Sequence, residues 1–158
     1  MTLDSDTFRS VLGRFASGIT IITARDEGGQ DVGMTVSAFC SLSLEPPMVL
    51  ICIDHTAAMS RVLRESLHFG VSILAAGQEA LSRRFAGVDT DRFEGIGFMR
   101  GQTGVVLLDG ALAQLECRIV DLHDGGDHTI CLAEVESAEA RTDTPLLYYR
   151  GGYATLER

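Results

Sequence analysis

Three stretches of the 158-residue chain carry more polar detail than a core requires. The first, Gly33-Met34-Thr35-Val36-Ser37-Ala38-Phe39-Cys40-Ser41, alternates small hydroxyl residues behind a glycine. Such a strand leaves backbone donors and acceptors open to a planar ligand, although the wet face of an ordinary strand reads the same way. In the second, Asp54-His55-Thr56 through Ser60-Arg61, an apolar strand runs into a helix. Thr56 and the free N–H groups of the first turn there suit a phosphate, and Thr56 suits a helix cap equally well. The third, Ser82-Arg83-Arg84-Phe85-Ala86, pairs two arginines that either reach an anion or line a solvated helix face. No Walker sequence and no G-x-G-x-x-G occurs, so neither a P-loop nor a dinucleotide-binding βαβ unit is supported.

Two other groups invite metal chemistry and carry less. His123, Asp124, Asp127 and His128 bracket a turn and are zinc ligands by type. A tight turn, however, uses Asp and Gly for its own geometry, so no metal is expected. Cys40, Cys52, Cys117 and Cys131 sit singly in apolar segments without C-x-x-C spacing and read as reduced, packed thiols. His68 reads as a structural histidine.

The elements that must position these residues follow from periodicity. Ser5 or Asp6 can cap a first helix on which Phe8, Val11, Leu12 and Phe15 form one apolar stripe, with Gly18 as its end. Ile19 to Ala24 and Gly33 to Leu44 read as an antiparallel hairpin across Glu27-Gly28-Gly29-Gln30. Pro46-Pro47 breaks the chain before a strand from Met48 to Ile53. A helix over Thr56 to Glu65, a strand over Phe69 to Leu74 and a short helix over Glu79 to Phe85 follow. Gly87 to Gly104 reads as an irregular loop. Ala111 to Leu122 and Thr129 to Ala138 close the core as two long strands joined by Asp124-Gly125-Gly126-Asp127. In the first of them Ala111, Ala113, Leu115, Cys117 and Ile119 alternate with Gln114, Glu116 and Arg118, the period of a half-buried strand. The expected architecture is mainly β: one antiparallel barrel domain over 1–158 with short helices outside.

Bulk composition narrows the partners. Hydrophobic residues make up 46% and charged residues 22%, Trp is absent, and the formal net charge is −9. That balance argues against nucleic acid and anionic membrane surfaces, because no basic stripe exists to neutralise phosphates. Met48 to Ile53, the longest apolar run near the middle, falls far short of the ~20 residues of a membrane span. The acidic N-terminus, Asp4 and Asp6 included, is unlike a secretory signal, so a cytoplasmic protein is expected.

Taken in order, five motifs resemble those of the short-chain flavin reductase family, whose domain is the FMN-binding split barrel. They are F-R-S-V-L-G-R-F-A-S-G-I-T-I-I-T, then G-M-T-V-S-A-F-C-S-L-S-L-E-P-P-M-V-L-I-C-I-D, L-S-R-R-F-A, G-G-D-H-T-I and Y-Y-R-G-G-Y. The match runs from the Phe8 helix to about Tyr153. By that resemblance, Thr35, Val36, Ser37, Ala38 and Phe39 hold the isoalloxazine edge and ribityl chain, and Cys52, Ile53 and Asp54 flank the ring. Thr56 and Ser60 fall where phosphate contacts are expected, and Arg83, Arg84, Phe85 and Ala86 match the element that closes over the phosphate or adenosine side. His128 matches the residue that orients the nicotinamide, while Tyr148, Tyr149 and Tyr153 border the pocket.

The resemblance implies a homodimer with flavin sites near the interface, FMN or FAD as flavin, and hydride transfer from reduced nicotinamide. NADH is favoured because no arginine pair waits for a 2′-phosphate, although Arg92 and Arg100 keep NADPH open. An enzyme of this type supplies reduced flavin to a separate monooxygenase. The alternative is a module that keeps FMN for electron transfer or storage, which has no use for a nicotinamide-facing His128.

Overall fold

The computed structural model describes residues 1–88 and 90–157. It opens with helix α1 (Ser5–Leu12), then strands β1 (Ser17–Gly18), β2 (Thr20–Arg25), β3 (Asp31–Val36), β4 (Phe39–Ser43) and β5 (Met48–Asp54). Helix α2 (Ala58–Glu65), strand β6 (His68–Ile73) and helix α3 (Glu79–Ala86) follow. The short β7 (Phe98–Arg100) and β8 (Val106–Leu108) precede the long β9 (Ala113–Gly125) and β10 (His128–Ala140). Strands β11 (Leu146–Tyr149) and β12 (Gly152–Thr155) end the chain.

Seven strands form one antiparallel sheet in the order β3-β2-β6-β9-β10-β5-β4. Its two outermost strands, β3 and β4, are consecutive in the chain and joined only by Ser37 and Ala38. The sheet must therefore curl until its edges meet, and there Cys52 N–H donates to the Ala38 carbonyl at 3.0 Å. No ladder joins β3 to β4 or β5, so the barrel is split along this line. The result is the mainly β, split-barrel fold expected from the motifs.

Ile22, Ile51, Ile53, Phe69, Cys117 and Cys131 fill the barrel interior. Ile21, Leu74, Phe85, Leu108 and Leu146 pack outside it under α3. Strand β2 lies between the two clusters, which explains why it is buried on both faces instead of alternating.

Several expectations need correction. Helix α1 is capped by Asp4, whose carboxylate accepts from Thr7 N–H at 2.9 Å, not by Ser5 or Asp6. It ends at Gly13, where the Gly13 N–H donates to the Arg9 carbonyl, and Gly18 belongs to β1 and pairs with Leu147. Phe8, Val11, Leu12 and Phe15 are all exposed, so the apolar stripe faces away from the core. The expected strand over Gly33 to Leu44 is two strands at opposite ends of the sheet order.

Thr56 precedes α2, because Asp54 Oδ1 accepts its N–H (2.8 Å) and hydroxyl (2.7 Å) and holds it in a turn. The stretch from Gly87 to Gly104 contains the β7–β8 hairpin; three-residue strands are too short to show a period, and Asp89 lies outside the described residues. The β9–β10 turn is tighter than expected, with Gly125 paired to His128 and Gly126 at φ 67°.

Glu116, expected on the wet face, is only 5% exposed. Irregularities in the β9–β10 ladder, between Leu132 and Ala133 and between Val135 and Ser137, break the simple alternation. The buried carboxylate accepts from the Thr103 N–H (2.9 Å) and hydroxyl (2.6 Å) and the Ser137 hydroxyl (3.0 Å). Burial alone pushes its pKa up, but these hydrogen bonds outweigh it and hold the acid below the usual glutamate range.

Candidate functional site

Two neighbouring surfaces collect part of the residues singled out above. The first is a strip along the split. Ser37 and Ala38 lie outside both ladders; their carbonyls accept from Phe39 and Cys52, and their own N–H groups meet no backbone acceptor among the described residues. Next to them Cys52 and Asp54 are half-buried on β5, and β10 brings His128 directly opposite Asp54. His128 Nδ1 is 2.7 Å from Asp127 Oδ1, and the His55 N–H donates to the Asp127 carbonyl at 3.0 Å, so the turn is tied to the end of β5.

The charge state of the strip follows from these contacts. The two Thr56 donors hold the Asp54 carboxyl below the usual carboxylate range, with His128 and His55 adding to the effect. Burial, helped by nearby Cys40, pushes the Cys52 thiol up, so this sulfur is protonated near neutrality and is no nucleophile. His123 pairs with Asp121 at 3.1 Å and His55 with Asp124 at 3.5 Å. The imidazoles of the turn thus have separate carboxylate partners and do not converge on one point.

The second surface is a cleft of ≈ 520 Å³ bounded by β3, the start of α2, the end of α3 and the segment after it. Thr35 and Ala86 line it among the expected residues, with Phe85 behind as a fully buried anchor. Ala57, Ala58 and Met59 form the wall next to the strip, since Ala57 N–H donates to Asp54 O at 3.0 Å. Ala57 has no side-chain cap, so the first N–H groups of α2 remain open at the positive end of the helix.

The remaining expected residues have other tasks. Val36 and Ile53 point into the core and can offer only backbone. Ser60 is buried, with its hydroxyl 3.3 Å from that of Thr129, so it does not reach the surface where a phosphate would sit. Thr35 donates its hydroxyl to the Ser82 carbonyl (2.7 Å), tying β3 to α3. Arg83 pairs with Glu79 at 3.2 Å and stacks 4.7 Å from the Tyr153 ring, and Tyr153 shares a 2.8 Å hydrogen bond with Ser82. Tyr148 meets Tyr153 edge-on, Tyr149 is exposed, and no tyrosine lines the cleft. Arg84 donates to the carbonyls of Arg92, Asp91 and Glu94 at 2.8, 2.9 and 2.6 Å and so holds a loop rather than a ligand.

Sequence reasoning did not place Arg92 or Met34 at this cleft and passed over Phe93 and the Ala57–Met59 wall. The one available signal was Gly33 inside a strand, which marks a close approach. A Cβ there would stand 2.8 Å from Phe85 and 2.9 Å from Phe93.

A flat ligand with an anionic tail fits these surfaces. The strip gives free amides and an apolar floor, the uncapped turn of α2 gives donors for a phosphate, and His128 stands at the open end.

The model of a flavin reductase like domain matches residues 12–157. The reductase subunit of a flavin-dependent monooxygenase from Rhodococcus jostii is 41% identical, over 98% of this chain and 80% of that protein. The reductase component of a 4-nitrophenol 4-monooxygenase/4-nitrocatechol 2-monooxygenase from Rhodococcus opacus is 43% identical, over 96% and 80%. An NADH:FAD oxidoreductase from Streptomyces globisporus, solved in complex with NAD and FAD fragments, superposes with a TM-score of 0.92 at 37% identity, covering 99% of this chain and 97% of that one.

Proposed function

The chain belongs to the flavin reductase like domain family, and from that premise we infer that it is an NAD(P)H-dependent flavin reductase. It moves a hydride from reduced nicotinamide to FMN or FAD and supplies the reduced flavin to a partner monooxygenase. The observation that carries this reading is the continuous track from His128 across Cys52 and Ala38 to the open first turn of α2.

The bound flavin supplies the redox chemistry. The protein's residues have to place two rings face to face and hold them dry. The amides of Ser37 and Ala38 orient the polar edge of the ring and stabilise negative charge there. Cys52, protonated, offers a neutral, half-buried surface beside the ring. The exposed N–H of Ala58 in the open first turn of α2 takes the phosphate role expected of Ser60, whose hydroxyl faces Thr129. His128, fixed through Nδ1 by Asp127, presents its other edge to the nicotinamide carboxamide. No general acid–base pair is required, and the account assigns none.

NADH is the preferred donor. Arg100 is held bidentate by Asp31 at 2.7 and 2.9 Å, and Arg92 is bound to the Gly33 and Gly87 carbonyls, so neither is free to read a 2′-phosphate. The functional unit is a homodimer: the exposed Phe8, Val11, Leu12 and Phe15 form a patch that a second copy would cover. Four free cysteines suit the reducing cytoplasm, and no helix among the described residues is long and apolar enough to cross a membrane.

The test is NADH consumption with and without added FMN or FAD. Turnover that rises with free flavin supports a reductase releasing its product. Tightly held flavin without turnover contradicts it.

A further inference from the structure

We propose that the Asp54 carboxylate favours the oxidised nicotinamide over the reduced one, speeding hydride release and making NAD+ a retained, inhibitory product. The proposal rests on the reductase reading and deepens it. Hydride departure breaks the C4–H bond of a neutral dihydropyridine. The hydrogen and both bonding electrons pass to the flavin, and the nicotinamide ring is left as a pyridinium cation. A negative charge fixed beside that ring stabilises the product, and the transition state leading to it, more than it stabilises NADH.

The ladder puts such a charge on the ring side of the sheet. Residues directly opposite in an antiparallel pair share a face, and Asp54 lies opposite His128. Cys52, two residues before Asp54 on the same strand, shares that face as well. Asp54 is therefore next to the imidazole that meets the carboxamide. Both Thr56 donors end on Oδ1, at 2.8 and 2.7 Å, while Oδ2 meets no donor among the described residues. The same contacts keep the carboxyl ionised at neutral pH. Asp127 carries the second carboxylate beside His128, but its Oδ1 is engaged with Nδ1 at 2.7 Å. Asp54 is thus the one whose charge can be removed without disturbing the imidazole.

No Lys or Arg occurs between Met48 and Ser60 or between Ile119 and Ala140 to cancel this charge. Arg64, on α2, points to the Thr129 hydroxyl at 3.5 Å. Thr129 is buried, on the face of β10 opposite to that of His128. The groups that act on Asp54 are His128 and His55, and His55 already faces Asp124 at 3.5 Å. Asp54 acts through space and needs no contact with the reacting atoms.

Asp54→Asn tests the assignment in the FAD-loaded protein, because an amide oxygen can still accept both Thr56 hydrogen bonds. Calorimetry gives the Kd for NAD+. Anaerobic bleaching of the flavin gives the hydride-transfer rate and, from its half-saturation, the Kd for NADH. The variant should bind NAD+ about threefold to fivefold more weakly, the effect of one unit charge near water. Its bleaching rate should fall by a similar factor, with the Kd for NADH changed by less than about twofold. In the unmodified protein, raising salt from about 0.01 to about 1 M should weaken NAD+ more than NADH, since the two differ only in the ring charge. Equal weakening of NAD+ and NADH in the variant, unchanged NAD+ affinity, loss of flavin, or a salt-independent affinity ratio overturns the proposal. If the unmodified protein still bleaches with NADH in that case, the reductase reading stands and only the role of Asp54 falls; if NADH leaves its flavin oxidised, both fall.

Discussion

The strip along the split and the cleft beside β3 adjoin, yet they are built by different means. The strip is assembled by ladders: β10 pairs with β5 residue by residue from His128 opposite Asp54 to Glu134 opposite Met48. A strand in register between neighbours cannot shift His128 without shifting every side chain to the other face. The cleft wall is instead a loop hung from side chains, with two arginines donating five hydrogen bonds to backbone carbonyls. The ladder-built surface is suited to the chemistry, where small displacements of reacting groups are costly.

Substitutions can break or sharpen this contrast. The largest effect is expected for His128→Ala, which removes a side chain at the strip without touching the ladder. The kcat/KM for NADH should fall by about tenfold to a hundredfold, ~1.4–2.7 kcal/mol, with the flavin Kd unchanged. Loss of flavin binding instead would show that His128 belongs to the flavin site.

Next comes Arg84→Ala, which strips three carbonyls of their donor at once. Hydrogen bonds to charged groups contribute roughly 1.5–3 kcal/mol each at most, and here the freed carbonyls can recruit water, so a loss of about 2 kcal/mol in urea unfolding is expected. Flavin affinity should weaken more than the rate of the bound complex. An unchanged stability would mean that the loop is held by packing alone.

Glu116→Gln acts one layer further out, since Glu116 pins Thr103 and thereby the hairpin whose Phe98 backs Phe93. A loss of about 1–2 kcal/mol is expected at neutral pH. The folded-state pKa is lowered, so this stabilisation is present above the ordinary glutamate pKa of 4.5 and lost as pH falls through the lower folded value. The gap between wild type and variant should therefore close in acid, as measured by unfolding at a series of pH values.

The smallest effect belongs to Ser60→Ala at the joint between the two regions. Its hydroxyl faces Thr129 inside the barrel, so flavin affinity should change by less than about twofold, with roughly 0.5–1 kcal/mol lost in stability. A large drop in affinity would return Ser60 to the phosphate site.

The same contrast governs what could be read from the residues alone. The strands were legible because β-branched runs and turn glycines declare themselves locally, and the motif run from Gly33 to Asp54 carried the split-barrel resemblance. Cys52, Asp54 and His128 lie together because the β10–β5 ladder brings them side by side, and Ala38 joins them through its carbonyl. Ser60 was misread because its helix begins at Ala58, two residues later than the pattern suggested, which turns its hydroxyl into the barrel. Arg84 looked like an anion ligand, since nothing local reveals that carbonyls of residues 91–94 absorb its donors. Arg92 was noticed only as a loop arginine and Phe93 not at all, because a wall built from long side chains and carbonyls has no period. The apolar stripe on α1 was correctly seen, but periodicity cannot say whether such a face meets the core or a second molecule.

The most direct test is anaerobic mixing of the protein with stoichiometric FAD and NADH, following the visible absorbance of the flavin. The account predicts bleaching whose rate saturates with NADH and drops in His128→Ala. A flavin that binds yet stays yellow in the presence of NADH would contradict it.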